Sequence, residues 1–203
     1  MSETPEPDLK SAAIRAVIHA AATVPIVFTT GYTSRIALGI ADRPNHFYMT
    51  GSMGLCASVA SGLSLATRGP VVAVDGDGSL LMNPSTLVAA GALAPLALVH
   101  VVLDDDAYDS TGGQASGSGV VDMCAWARSS GYRATGTAHS AADLAGMVRA
   151  YVADGRGPVF IRCPLRPSSA PVPGRVGDDL AGHARRFSAH VAALRHKDSR
   201  CSR

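Results

Sequence analysis

Gly76-Asp77-Gly78-Ser79 sets one carboxylate between two glycines at the end of an apolar run, Val71-Val72-Ala73-Val74-Asp75. A buried strand that delivers this tetrapeptide to the start of a helix makes an anion site. Glycine lets the backbone approach a ligand closely, and the first N–H groups of a helix meet a phosphate with a favourable dipole. Asp77 adds a hard oxygen ligand for a divalent cation, and such a cation lets a carboxylate and a phosphate share one place. Standing alone, Gly-Asp-Gly is explained equally well as a tight turn. Two commoner phosphate motifs are absent. No G-x-x-x-x-G-K-[ST] occurs, and in the frame G-x-G-x-x-G the third glycine falls on Leu81.

A second acidic group follows at a meaningful interval. The apolar run Val99 to Leu103 ends in Asp104-Asp105-Asp106. One helix and one strand fill the gap from Gly78, which is the length of a crossover to a parallel strand. Such a crossover returns a second set of oxygen ligands to Asp77. Three consecutive acids at the end of a buried strand are costly unless paired or metal-bound. The plain alternative is a solvated acidic turn.

These residues need elements to position them. Helices are expected over 9–22, near Arg35, up to Thr67, and over 84–94, 121–130, 141–153 and 178–196. Strands are expected over 26–28, 47–49, 71–74 and 98–103, near Tyr132, and over 159–162. The stretch 166–177, rich in proline and glycine, reads as a wrapping loop. Continuous apolar strands alternating with helices imply an α/β fold: a doubly wound, mostly parallel sheet covered on both faces. Ligands of such sheets sit at the carboxyl ends of strands, where the strand order reverses. The polar loops 29–34, 75–79 and 104–114 fall at such ends and should converge. Residues 1–8 read as a disordered start, 9–197 as a single domain, and 198–203 as a disordered tail.

Composition narrows the classes. The chain has 203 residues, 47% hydrophobic and 17% charged, with a net charge of +2. That suits a globular domain with well-buried strands. The basic residues near the end (Arg185, Arg186, Arg195, Lys197, Arg200, Arg203) read as a solvated helix face, not a nucleic-acid surface. Cys56, Cys124, Cys163 and Cys201 are far apart and form no C-x-x-C pair, which argues against zinc or a disulfide framework. No signal peptide or apolar membrane span is evident, and the expectation is a cytoplasmic protein.

Gly76-Asp77-Gly78-Ser79, one helix, and then an apolar strand ending in a polar pair resembles the thiamine diphosphate (ThDP) binding motif. The usual pair is Asn-Asn; here it is Asp104-Asp105. Further stretches are similar to the ThDP-binding domain of the phosphonopyruvate and sulfopyruvate decarboxylases. They are Thr29-Thr30-Gly31-Tyr32-Thr33-Ser34-Arg35, Phe47-Tyr48-Met49-Thr50-Gly51-Ser52-Met53-Gly54, Leu80-Leu81-Met82-Asn83, Asp109-Ser110-Thr111-Gly112-Gly113-Gln114 and Arg166-Pro167. The likeness covers about residues 10 to 195, and the 109–114 hexapeptide lies nearer the phosphonopyruvate branch.

The resemblance implies the diphosphate-binding type of ThDP domain. It implies Mg²⁺ held by Asp77, Asp105 and the Ala107 carbonyl, with Asp106 as an alternative ligand should the register shift. Gly78 and Ser79 would donate to the diphosphate. Thr30, Gly31, Tyr32, Gly51, Ser52, Met53, Gly76 and Tyr108 would complete the cofactor site, with Met53 holding the cofactor bent and the Gly51 carbonyl accepting from its amino group. Leu55 stands where the family often has His. Asp109, Ser110, Thr111, Gly112, Gly113 and Gln114 would form a substrate loop. The implied reaction releases CO₂ and an aldehyde from a 2-oxo acid. The glutamate that activates the cofactor belongs to a pyrimidine-binding domain. No acidic residue upstream of Gly76 suits that role, so a partner (α) subunit of similar size is expected, in an α2β2 or larger assembly. Two other readings stay open: a carboligase of the acetolactate type, and a non-catalytic, degenerate subunit.

Overall fold

The computed structural model describes residues 9–166, 171–177 and 179–201. Six strands make one parallel sheet: β1 (Ile26–Phe28), β2 (His46–Tyr48), β3 (Val71–Gly76), β4 (Leu98–Asp104), β7 (Ala134–Thr137) and β8 (Val159–Pro164). Their order is β2-β1-β3-β4-β8-β7. A two-residue antiparallel pair, β5 (Ala107–Tyr108) with β6 (Gln114–Ala115), stands apart. The helices are α1 (Leu9–Ala20), α2 (Tyr32–Ile40), α3 (Cys56–Thr67), α4 (Asp77–Met82), α5 (Ser85–Ala92), α6 (Met123–Ser129), α7 (Ala141–Asp154) and α8 (Leu180–Cys201).

Alternation along the strands builds two cores. Val72 and Val74 of β3 face the layer that includes Ile14, Ile18, Leu144 and Val148, while Val71 and Ala73 face Cys56, Ala60, Leu87 and Met123. Thus α1 and α7 cover one face, and α3, α5 and α6 cover the other. Burial of strands β3 and β4 on both faces explains their apolar runs, Val71–Val74 in β3 and, apart from His100, Leu98–Leu103 in β4. Local signals set the ends. Ser140 caps α7 by accepting from the Asp143 N–H at 3.0 Å, and Gly155 ends that helix at φ 64°. Asp122 caps α6 through the Ala125 N–H at 2.9 Å.

Several sequence expectations need correction. The strand expected near Tyr132 is Ala134–Thr137; Tyr132 itself is buried and meets His100 Nδ1 at 3.1 Å. Leu80-Leu81-Met82 belongs to a short helix of its own that begins at Asp77, ahead of the helix expected over 84–94. The β5–β6 hairpin is new. The last helix runs through Cys201, past residue 197, so 198–201 are helical and not a disordered tail. Residues 1–8, 167–170, 178 and 202–203 lie outside the described residues, and with them the disordered start, part of the wrapping loop and the final two residues.

Candidate functional site

The switch in strand order falls between β1 and β3. From β1 the chain moves outward to β2, then returns to the other side of β1 as β3. The ends of β1, β3 and β4 border a pocket of about 40 Å³. Thr30, Tyr32, Met53, Gly76, Asp77, Gly78, Ser79, Asp105, Ala107 and Tyr108 all line it. The three loops expected to converge therefore do so. Gly31 lies on an adjoining cavity of about 410 Å³, which shares Thr30, Met53 and Ser110 with the pocket. Gly51 and Ser52 are exposed and line neither space. Of the expected substrate loop, Asp109 and Ser110 reach the pocket and Thr111 the cavity. Gly112, Gly113 and Gln114 are exposed on the β5–β6 hairpin outside both.

The glycine at 78 has a local reason. A Cβ there would stand 2.6 Å from two carbons of the Tyr108 ring, so the ring lies directly on the backbone of α4. Ser79 proves to be a joint. Its hydroxyl meets Thr29 Oγ1 at 3.0 Å and accepts from the Gly54 N–H at 3.0 Å. Asn83 donates to the Gly54 carbonyl at 3.1 Å. The hydroxyl is thus engaged with protein, and the donors this turn offers a ligand are its N–H groups, which lack partners within the helix.

The three acids have three fates. Asp104 is buried and paired: Arg162 Nε donates to it at 2.6 Å and the Ser118 hydroxyl at 2.6 Å. Asp106 is exposed, at φ 56°, and accepts from the Ser118 N–H at 3.0 Å. The Ser118 and Ser116 hydroxyls hold its carboxyl below the usual range. Its side chain serves its own loop, which separates it from the pocket. Asp105 turns inward, 4% exposed, beside Asp77 at 1%. Burial pushes the Asp77 carboxyl up, partly opposed by the Ser116 hydroxyl that donates to it. Burial, together with the Asp109 carboxyl, pushes Asp105 up to about 7, against the pull of Lys10.

Lys10 is the residue sequence reasoning missed. It enters from the first turn of α1, forms an ion pair with Asp105 and lies 3.0 Å from Asp109. Burial alone would lower its pKa, but the two carboxylates raise it, so it stays charged. Nothing in the local sequence links Lys10 to Asp105. Ser116, Ser118 and Arg162 were missed for the same reason.

The donor set suits a magnesium diphosphate. Asp77 and Asp105 are buried carboxyls with raised pKa, Lys10 pairs with Asp105 and Asp109, and a dication would supply further counter-charge. Among the described residues no three Asp, Glu, His or Cys side chains gather as a self-sufficient metal site.

Comparison with known proteins agrees with this geometry. Residues 29–163 match the family model described as "Thiamine pyrophosphate enzyme, C-terminal TPP binding domain", thiamine pyrophosphate being another name for ThDP. A phosphonopyruvate decarboxylase of Streptomyces viridochromogenes is 45% identical over 82% of this chain and 42% of its own length. The sulfopyruvate decarboxylase subunit beta of Methanothermobacter thermautotrophicus is 40% identical over 73% of this chain and 77% of its own. The chain thus spans less than half the length of the first of these relatives. The crystal structure of benzoylformate decarboxylase from Polynucleobacter necessarius shares the fold, with a TM-score of 0.61 at 16% identity, over 84% of this chain and 35% of that one. This chain belongs to the thiamine pyrophosphate enzyme family, as the TPP-binding domain of the kind found in phosphonopyruvate decarboxylases and sulfopyruvate decarboxylase β subunits.

Proposed function

We propose that this chain is the diphosphate- and metal-binding component of a ThDP- and Mg²⁺-dependent 2-oxo acid decarboxylase acting on 3-phosphonopyruvate or sulfopyruvate. The observation that carries the reading is the meeting of Asp77 and Asp105, both buried, in one pocket at the switch point of the sheet. Asp77, Asp105 and the Ala107 carbonyl hold the metal. The N–H groups of Gly78 and Ser79 hold the diphosphate, and Met53 gives the pocket an apolar wall. Bound ThDP supplies the electron sink for loss of CO₂. A pyrimidine-binding domain supplied by a partner α subunit completes the site, in keeping with the β-subunit relatives. Leu55, Met82 and Val120, which are 41%, 58% and 91% exposed on segments flanking the pocket, support a covering partner.

The test is binding and turnover by the complex of this chain with its pyrimidine-domain partner. CO₂ release from phosphonopyruvate or sulfopyruvate should require both ThDP and Mg²⁺. Asp77→Ala should weaken Mg²⁺-dependent ThDP binding by at least about a hundredfold, read by calorimetry. Unchanged affinity rejects the metal assignment, and an acyloin formed from pyruvate alone assigns carboligation instead.

A further inference from the structure

The cavity beside the cofactor pocket has the opposite electrostatic character. Among the described residues its lining holds Arg35 and Arg175 and no carboxylate, whereas the pocket it adjoins is lined by Asp77, Asp105 and Asp109. Arg35 is partly buried, and its Nε is fully shielded with no hydrogen-bond partner. Its guanidinium carbon lies 5.4 Å from the centre of the Tyr32 ring, which orients the side chain. Among the described residues neither arginine has a carboxylate partner. A shielded guanidinium donor without an acceptor is costly, and guanidinium forks match tetrahedral oxyanions. Ser110 and Thr111 line the same space.

We propose that Arg35 and Arg175 form an anion subsite for the second acidic group of the substrate, a phosphonate or sulfonate carried beyond the 2-oxo acid. The subsite rests on the proposed decarboxylase reading for its place in a reaction, but anion binding does not depend on that reading. Arg35 forms the inner wall, held by Tyr32. Arg175 reaches the same anion from the segment ahead of α8 and stands exposed at the rim. The shared residues Thr30, Met53 and Ser110 make the cavity continuous with the cofactor pocket. A substrate anchored here has its acidic tail in the cavity and its reacting end toward the cofactor.

Two measurements separate the subsite from the functional reading. In the first, the full chain is titrated with methylphosphonate, methanesulfonate and acetate by calorimetry. One of the two tetrahedral anions should bind more tightly than acetate. Arg35→Met should weaken that binding at least about tenfold, Arg175→Met less, and Arg35→Lys should recover part of the loss. Thermal midpoints should stay near wild type, because the Arg35 Nε has no protein partner to lose. Binding that is equal in wild type and both methionine variants overturns the subsite. In the second, the complex with its partner is assayed with phosphonopyruvate, sulfopyruvate and pyruvate. Arg35→Met should raise KM for a dianionic substrate at least about tenfold and leave pyruvate unchanged. An equal fall in kcat for all three overturns the subsite while leaving the decarboxylase reading intact. Arginine-dependent anion binding without decarboxylation overturns that reading and leaves the subsite standing.

Discussion

Two spaces share a wall at the carboxyl ends of β1, β3 and β4, and they solve opposite electrostatic problems. The small pocket is lined by Asp77, Asp105 and Asp109, with Lys10 paired to the last two. Among the described residues the larger cavity presents two arginines and no acid. A site built only to hold a magnesium diphosphate has no use for the second set of charges. On the proposed function, acids stand where the cation would sit, and guanidinium groups stand where an anion would arrive without one. This segregation would set a site for the cofactor apart from a site for the substrate within a few side chains.

The largest test of this division is Lys10→Met. It strips the counter-charge from a buried carboxylate and should cost the metal-free chain about 3 kcal/mol in urea denaturation. Lys10→Met combined with Asp105→Asn should recover most of that loss, because the pair is then removed together. Methylphosphonate binding at the arginines should not change in either variant. If it does, the two spaces are not separable. Gly78→Ala should have a smaller effect, about 1–2 kcal/mol in stability, because its Cβ drives against the Tyr108 ring. Its mark is a loss of ThDP affinity that Tyr108→Ala partly reverses.

The smallest effect is one of pH and falls on the other side. His46 lies on β2, the edge strand that leads into Met49 and Thr50 of the arginine-lined cavity. Burial lowers its pKa from 6.5 to about 4. The unfolded chain therefore binds the extra proton between those values, so stability falls as pH drops from about 6.5 to about 4. The slope contributed by this residue is at most about 1.4 kcal/mol per pH unit. The difference in unfolding free energy between wild type and His46→Asn, followed across that range, should carry this slope. A difference independent of pH would show that His46 is not the titrating group.

Most of the scaffold is legible in the sequence because burial writes it there. Val71–Val74 are apolar throughout, and Leu98–Leu103 apart from His100, since both faces of the sheet are covered. Gly76-Asp77-Gly78-Ser79 announces a turn from strand to helix by residue type alone. β7 is harder to find. Ala134-Thr135-Gly136-Thr137 is a half-buried edge strand with no apolar run. The β5–β6 hairpin has strands of two residues, too short for any period to register. Within the site, Asp104, Asp105 and Asp106 are chemically identical letters, and what separates them is Arg162, Lys10 and the Ser118 N–H, which arrive from distant segments. Arg175 is hidden in the same way, in a proline-rich loop whose course only the fold determines.

The Ser79 hydroxyl, bound to Thr29 and to the Gly54 N–H, clasps the end of β1, the first turn of α4 and the loop before α3 to one another. The entropy of ordering those three segments is therefore spent when the chain folds, not when a ligand arrives. A nucleotide-sized cofactor meets a socket already assembled. On the proposed function, the rate at which the chain loads would then be governed by encounter, with little waiting for loops to settle.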